Sequence, residues 1–319
     1  MTADGIHQLG LDEVSRIHDE IRALMTRVEF EGDLQAFFEF TKNDEQFYYD
    51  DSDAGRDAYL ERTHDVVDEM RGLLDTLFVA LPKAELKVKR VEAFREKTAG
   101  LAFYQRAAVD GSRPGIYYAN LYDMKSMAKY ELEALAYHEA IPGHHMQLSI
   151  AMELDDLPKF RTNGGYTAYS EGWGLYSEYL PKEMGLYLDP YSDFGRLSME
   201  LFRACRLVVD TGIHAKKWTR EEGITYYVEN SGSQERQCVK MVERHIVIPS
   251  QATAYKIGMI KILELREKSR AALGDDFDIR EFHEVVLTNG SVPLYILEEL
   301  VEQYIEERSL SPRCGLRSY

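Results

Sequence analysis

Near the start of the chain, Val14, Ile17, Ile21, Leu24, Met25 and Val28 recur at three- and four-residue spacing. That period places them on one face and predicts an amphipathic helix over roughly 11–29. A polar stretch holding Tyr48, Tyr49 and a cluster of aspartates from Asp44 to Asp57 interrupts it and reads as loop. Leu60, Val67, Met70, Leu73, Leu74 and Leu77 resume the pattern as a second long helix, stopped near Pro82. The period then shortens to two. Ala84, Leu86 and Val88 alternate with Lys and Glu, as in a strand with one wet face. Residues 101–107 and 115–121 are further strand candidates, divided by the turn Asp110-Gly-Ser-Arg-Pro-Gly. That small sheet precedes a helix carrying His138, and nearly everything later is patterned as helix. The expected class is α+β and predominantly α-helical, with a helical segment over 1–82 and a sheet-plus-helix region over 83–319 in one continuous domain.

Residues 137–147 read Tyr-His-Glu-Ala-Ile-Pro-Gly-His-His-Met-Gln. Neutral imidazole is the commonest protein ligand for zinc, and a carboxylate beside a metal-activated water is the usual general base of metal-assisted hydrolysis. His138, Glu139, His144 and His145 therefore suggest a site for one Zn²⁺ ion. The spacing differs from His-Glu-x-x-His, whose histidines share one helical face. Six positions on a regular helix rotate by about 600°, which leaves His144 roughly 120° from His138. His145 returns to the same face but lies about 10 Å along the axis, too far to share an ion. Pro142 cannot donate to the carbonyl of His138, and Gly143 tolerates unusual dihedrals. A bulge between Ala140 and Gly143 would bring His144 back towards His138, leaving His145 for substrate or for a supporting contact.

Catalytic zinc keeps three protein ligands and one open position. Glu171, within Tyr-Ser-Glu-Gly-Trp, follows His144 by enough residues for a loop and a returning helix, which Thr167 or Ser170 could cap. Glu178 competes with it, seven positions later on nearly the same face.

Together these runs, with Asp210-Thr-Gly-Ile-His214 and Pro249-Ser-Gln-Ala-Thr-Ala-Tyr-Lys-Ile-Gly258, resemble the bacterial domain-of-unknown-function-885 family from about Ile6 to Glu306. Those proteins are regarded as gluzincin-like metallopeptidase relatives, similar to the oligopeptidase and carboxypeptidase Taq families. The resemblance implies a zincin-like catalytic domain, zinc on His138, His144 and Glu171, and Glu139 as base. It also implies a further helical N-terminal half, so that this chain would be the catalytic half alone.

Hydrolysis needs a donor for the charge that develops on the attacked carbonyl. Tyr255, in a segment resembling the tyrosine-bearing helix of oligopeptidase relatives, and His214 are the candidates. Thr219 and Glu222 have the spacing of a capping box, so a new helix is expected just after His214. Asp210 could orient a histidine or cap a turn. Arg206 and Arg236 could hold a substrate carboxylate, with surface ion pairing the favoured role, and His245 and His283 read as core or surface residues. A strand just before the metal helix could hold an extended peptide by backbone pairing, with Tyr117, Tyr118 and Asn120 along its edge.

The net charge of −17 gives no basic footprint for nucleic acid. Cys205, Cys238 and Cys314 are odd in number and share no metal-like spacing. No apolar run approaches 18 residues and no leader pattern opens the chain. The location expected is cytoplasmic, with a periplasmic or lipid-anchored one open should an N-terminal half precede it. The function expected is a zinc metallopeptidase acting on a peptide or small amide. The alternatives are hydrolysis of a non-peptide amide or ester, or a non-catalytic binding protein. A missing half or a second copy of the chain are the candidate protein partners.

Overall fold

A computed structural model describes residues 1–310, and Cys314 lies outside the described residues. The first apolar stripe forms α1 (Ala3–Arg27), which begins well before the expected start because the Thr2 hydroxyl accepts the N–H of Gly5 and caps it. A helix not foreseen, α2 (Leu34–Asn43), starts on Asp33 and buries Phe37 and Phe38. The expected second helix is two pieces, α3 (Asp53–Arg71) and the single turn α4 (Leu74–Leu77). Three short strands follow as expected: β1 (Leu86–Arg90), β2 (Ala102–Gln105) and β3 (Gly115–Ala119). The rest is helical: α5 (Lys129–Glu139), α6 (His144–Met152), α7 (Lys159–Asn163), α8 (Thr167–Glu183) and the long α9 (Pro190–Lys216). After these come α10 (Arg220–Asn230), α11 (Glu235–Val247), α12 (Ala254–Leu273), α13 (Ile279–Leu287) and α14 (Leu294–Leu310). The capping box of Thr219 and Glu222 forms at the start of α10. Neither Thr167 nor Ser170 caps α8, which starts on Tyr166 without a side-chain cap.

The sheet order is β1-β3-β2, with β1 parallel and β2 antiparallel to β3. The strand expected to offer a free edge is therefore the central one, and all five of its residues are buried. Its near-continuous apolar run, Gly-Ile-Tyr-Tyr-Ala, suits a strand covered on both faces. The edge beside α5 is β2.

Two apolar cores meet along α5 and α9. One holds Tyr117, Ala136, Trp173, Met259 and Ile262, and the other Ile17, Ile21, Phe37, Val209 and Tyr227. Each of the large aliphatic side chains among these, and Phe37, contributes roughly 1.5–3 kcal/mol through burial. α1 lies along α9 inside the second core, so the N-terminal helical segment is built into the fold. α8 and α12 approach closely through paired glycines. A Cβ on Gly172 would stand 2.4 Å from the Cα of Gly258, and one on Gly258 would stand 1.9 Å from the Ala168 carbonyl oxygen. That contact carries Tyr255, at the head of α12, towards α5.

Candidate metal centre

The run from His138 to His144 does not bulge within one helix. It breaks into two, because Ala140 (ψ −110°) and Gly143 (ψ −130°) both leave helical geometry around Pro142. Gly143 sits so close over the end of α5 that a Cβ there would lie 1.9 Å from the His138 carbonyl oxygen. Breaking the helix leaves polar backbone groups to satisfy. The amide of His145 reaches back to the carbonyl of Ala140 at 3.1 Å, and the indole N–H of Trp173 on α8 donates to the carbonyl of Pro142 at 2.8 Å. This junction turns α6 so that the His138 and His144 rings meet edge to face, 4.8 Å between centres.

Glu171, from the first turns of α8, completes the cluster. Its Oε2 lies 3.5 Å from Nε2 of His138 and 3.3 Å from Nε2 of His144. Donors about 2.0–2.2 Å from one tetrahedral zinc ion stand roughly 3.3–3.5 Å apart, so both separations from Glu171 fit the ion, and an ion would draw the two imidazoles together within the 4.8 Å that bounds the three donor atoms. Nδ1 of His144 is buried without a hydrogen-bond partner. Among the described residues no other group of three His, Cys, Asp or Glu brings its ligand atoms this close, within 4.8 Å of one another.

Glu178 takes a different part from the one weighed in the sequence. It accepts a 2.6 Å hydrogen bond from Nδ1–H of His138, which fixes the tautomer and turns Nε2 towards Glu171. Gly174, one turn earlier on α8, leaves the space that this imidazole occupies. Electrostatics agree with a cation site. Burial opposes a charged His138, but Glu171 and Glu178 outweigh it and push its pKa up to about 10. Burial likewise opposes ionised Glu171, yet His138 and His144 hold it well below the ordinary carboxylate range. Glu139, also buried, has no hydrogen bond or ion pair among the described residues, so its carboxylate is uncommitted.

The remaining expected residues divide. Tyr255 lies beside the cluster, its ring nearly parallel to that of His138 (23°) at 6.4 Å. His214 is not brought to it; exposed at the end of α9, it places Nε2 2.9 Å from the carbonyl of His245. His145 is turned away and buried, hydrogen-bonded to the Tyr104 hydroxyl at 3.0 Å, and burial lowers its pKa to about 4. It holds α6 to β2 and is not placed for substrate. Asp210 caps a turn, both its oxygens 3.2 Å from the amide of Ser250. Tyr117 is fully buried, Tyr118 stacks on Phe103 at 5.0 Å, and Asn120 donates to the Glu96 and Gly100 carbonyls at 2.8 and 3.0 Å. None of the three lies along a free edge. His245 and His283 are core residues, each 2.8 Å from a tyrosine hydroxyl, Tyr227 and Tyr176 respectively. Arg206 is buried too, not surface-paired.

The sequence profile of the family described as "Bacterial protein of unknown function (DUF885)" matches residues 1–301. A crystal structure from Colwellia psychrerythraea, described as a "putative lipoprotein", is 42% identical with a TM-score of 0.94, over 96% of this chain and 53% of that one. A protein from Shewanella oneidensis with the same description, there also of unknown function, shares the fold at 22% identity and a TM-score of 0.80, over 95% of this chain and 57% of that one. The chain thus spans little more than half the length of these relatives. No curated protein matches it. No helix among the described residues is long and apolar enough to cross a membrane.

Proposed function

The chain belongs to the bacterial DUF885 family, and from its site we propose that it is a zinc-dependent hydrolase of peptide bonds, related to the gluzincin metallopeptidases. One observation carries this reading. Two imidazole nitrogens and a carboxylate oxygen converge within 4.8 Å of one another, with both separations from Glu171 suiting one zinc ion, and the residue next to the first ligand is an uncommitted carboxylate, Glu139.

When bound, the ion polarises a substrate carbonyl and acidifies the attacking water. His138, His144 and Glu171 would hold it, with His138 kept in register by Glu178. Glu139 removes the proton from the water and delivers it to the leaving amine. The Tyr255 hydroxyl donates to the oxygen on which charge develops. The edge of β2, which packs beside α5, offers an extended substrate backbone hydrogen bonds.

The test is metal content and turnover measured together. The purified chain should hold close to one zinc per molecule after supplementation. Glu139→Gln should keep that zinc while losing about 10²–10⁴-fold in turnover of a peptide mixture. Failure to bind zinc, or a variant as active as the parent, would remove the proposal.

A further inference from the structure

Three arginines are buried among the described residues, and two of them are neutralised. Arg196 pairs with Asp193 at 3.0 Å and Glu200 at 3.1 Å, and Arg266 with Glu183 at 2.7 Å. Arg206 on α9 is the exception. It is 8% exposed, and among the described residues no carboxylate pairs with it and its Nε lacks a hydrogen-bond partner. Burial and the like charge of Arg203 both disfavour its charged form, and the neighbours that most favour it are the hydroxyls of Tyr255 and Tyr227. A buried guanidinium without an anion is costly, so a fold that pairs the other two has reason to leave this one open.

Its position gives the reason. The Arg206 guanidinium carbon lies 4.6 Å from the centre of the Tyr255 ring and that of Arg203 lies 5.7 Å from it. The same ring is 6.4 Å from the imidazole of His138. Arg203 is uncommitted as well. Among the described residues it donates only to the Met199 carbonyl, at 3.4 Å, and the acid it senses, Glu131, accepts from Ser198 without forming an ion pair with it. Two guanidinium groups thus flank the tyrosine beside the candidate metal ligands.

We propose that Arg206, assisted by Arg203, receives the C-terminal carboxylate of the substrate, making the enzyme an exopeptidase for short peptides with a free C-terminus. This inference rests on the hydrolase reading. A guanidinium grips a carboxylate through two parallel hydrogen bonds. The separations from His138 to Tyr255, 6.4 Å, and from Tyr255 to Arg206, 4.6 Å, laid end to end set an upper bound of little more than three extended residues of roughly 3.5 Å. Cleavage should therefore fall one to three residues from the C-terminus. The chemistry is the hydrolysis already described: water supplies the hydroxyl to the acyl carbon and a proton to the leaving amine, with no other reactant.

The zinc-loaded chain is offered alanine tetrapeptide and its C-terminal amide. The free acid should be cleaved with a kcat/KM at least about tenfold higher, as loss of a charged hydrogen bond implies. In Arg206→Gln the KM for the acid should rise to that of the amide while kcat holds. Equal rates on acid and amide with the parent chain, or an undiminished preference in a folded Arg206→Gln, would overturn the carboxylate site and leave the hydrolase reading intact. Calorimetry of the same two peptides with Glu139→Gln needs no turnover. Tighter binding of the acid supports the site even if the chain cleaves neither, and equal or absent binding overturns it.

Discussion

Replacing Gly174 by alanine sets two effects of opposite sign against each other. Gly174 lies well inside α8, where helix propensity alone favours alanine by about 0.8–1 kcal/mol. The added Cβ, however, would stand 2.7 Å from Cε1 and 2.8 Å from Nε2 of His138. Carbon contacts settle at about 3.5–4.0 Å, so the ring must retreat by roughly 0.7 Å or more. It cannot do so freely, being buried and tied through Nδ1 to Glu178 at 2.6 Å. Zinc bonds tolerate errors of about 0.2 Å, so the required shift is several times that tolerance. Overpacking of this kind costs about 1–3 kcal/mol, which the gain in propensity partly offsets. Gly174→Ala should therefore melt within a few degrees of the parent by circular dichroism. Its zinc affinity, read by competition with a chromogenic chelator, should fall by at least about 10–100-fold, the loss that follows removal of a ligand's orienting partner. A folded variant that binds zinc as tightly as the parent would refute the assignment of His138 as a ligand.

Three further outcomes follow from the geometry. Glu178→Gln should weaken zinc binding by about 10–100-fold without unfolding the chain; unchanged affinity would mean that Glu178 does not orient His138. Tyr255→Phe should lower kcat by roughly 10²–10³-fold with zinc retained, and a parental kcat would take Tyr255 out of the mechanism. Acid should loosen the joint between α1, α9 and α12. Burial opposes ionised Glu200, but Lys256, Arg16 and Arg196 outweigh it and lower its pKa from 4.5 to about 2. A depressed carboxylate pKa stabilises the fold above the unfolded value and loses that effect as pH falls towards the folded one. The share of Glu200, about 3 kcal/mol at 1.36 kcal/mol per unit, should vanish between roughly pH 4.5 and 2. Denaturant titrations of the parent and of Glu200→Gln over that range should converge at the acid end, and a constant gap between them would contradict the assignment.

Much of this was legible in the chain before folding. Helical and strand periods are local, so the α1 stripe, the three short strands and the helical remainder followed from the spacing of apolar residues. The capping box at Thr219 followed from two residues three apart. His138, Glu139 and His144 stood out because their chemistry is concentrated in a few residues, and the need for some distortion near Pro142 followed from counting turns, although the bulge expected there is a full break between two helices.

Relations between distant segments were not legible. Glu171 and Glu178 lie on nearly the same face of α8, and only the line along which α5 and α6 cross that helix makes one a candidate ligand and the other a partner of His138. The central place of β3 depends on β1 pairing past β2, a long-range choice that the strands' own periods record only faintly, through the unbroken apolar run of β3. Arg206 carries the same charge as any surface arginine. What sets it apart is a position among α9, α12 and Tyr255 in which no carboxylate of the described residues pairs with it. Composition and period determine which faces of a segment must be buried; the tertiary structure alone decides what those faces meet, because packing joins residues whose separation along the chain leaves no local trace.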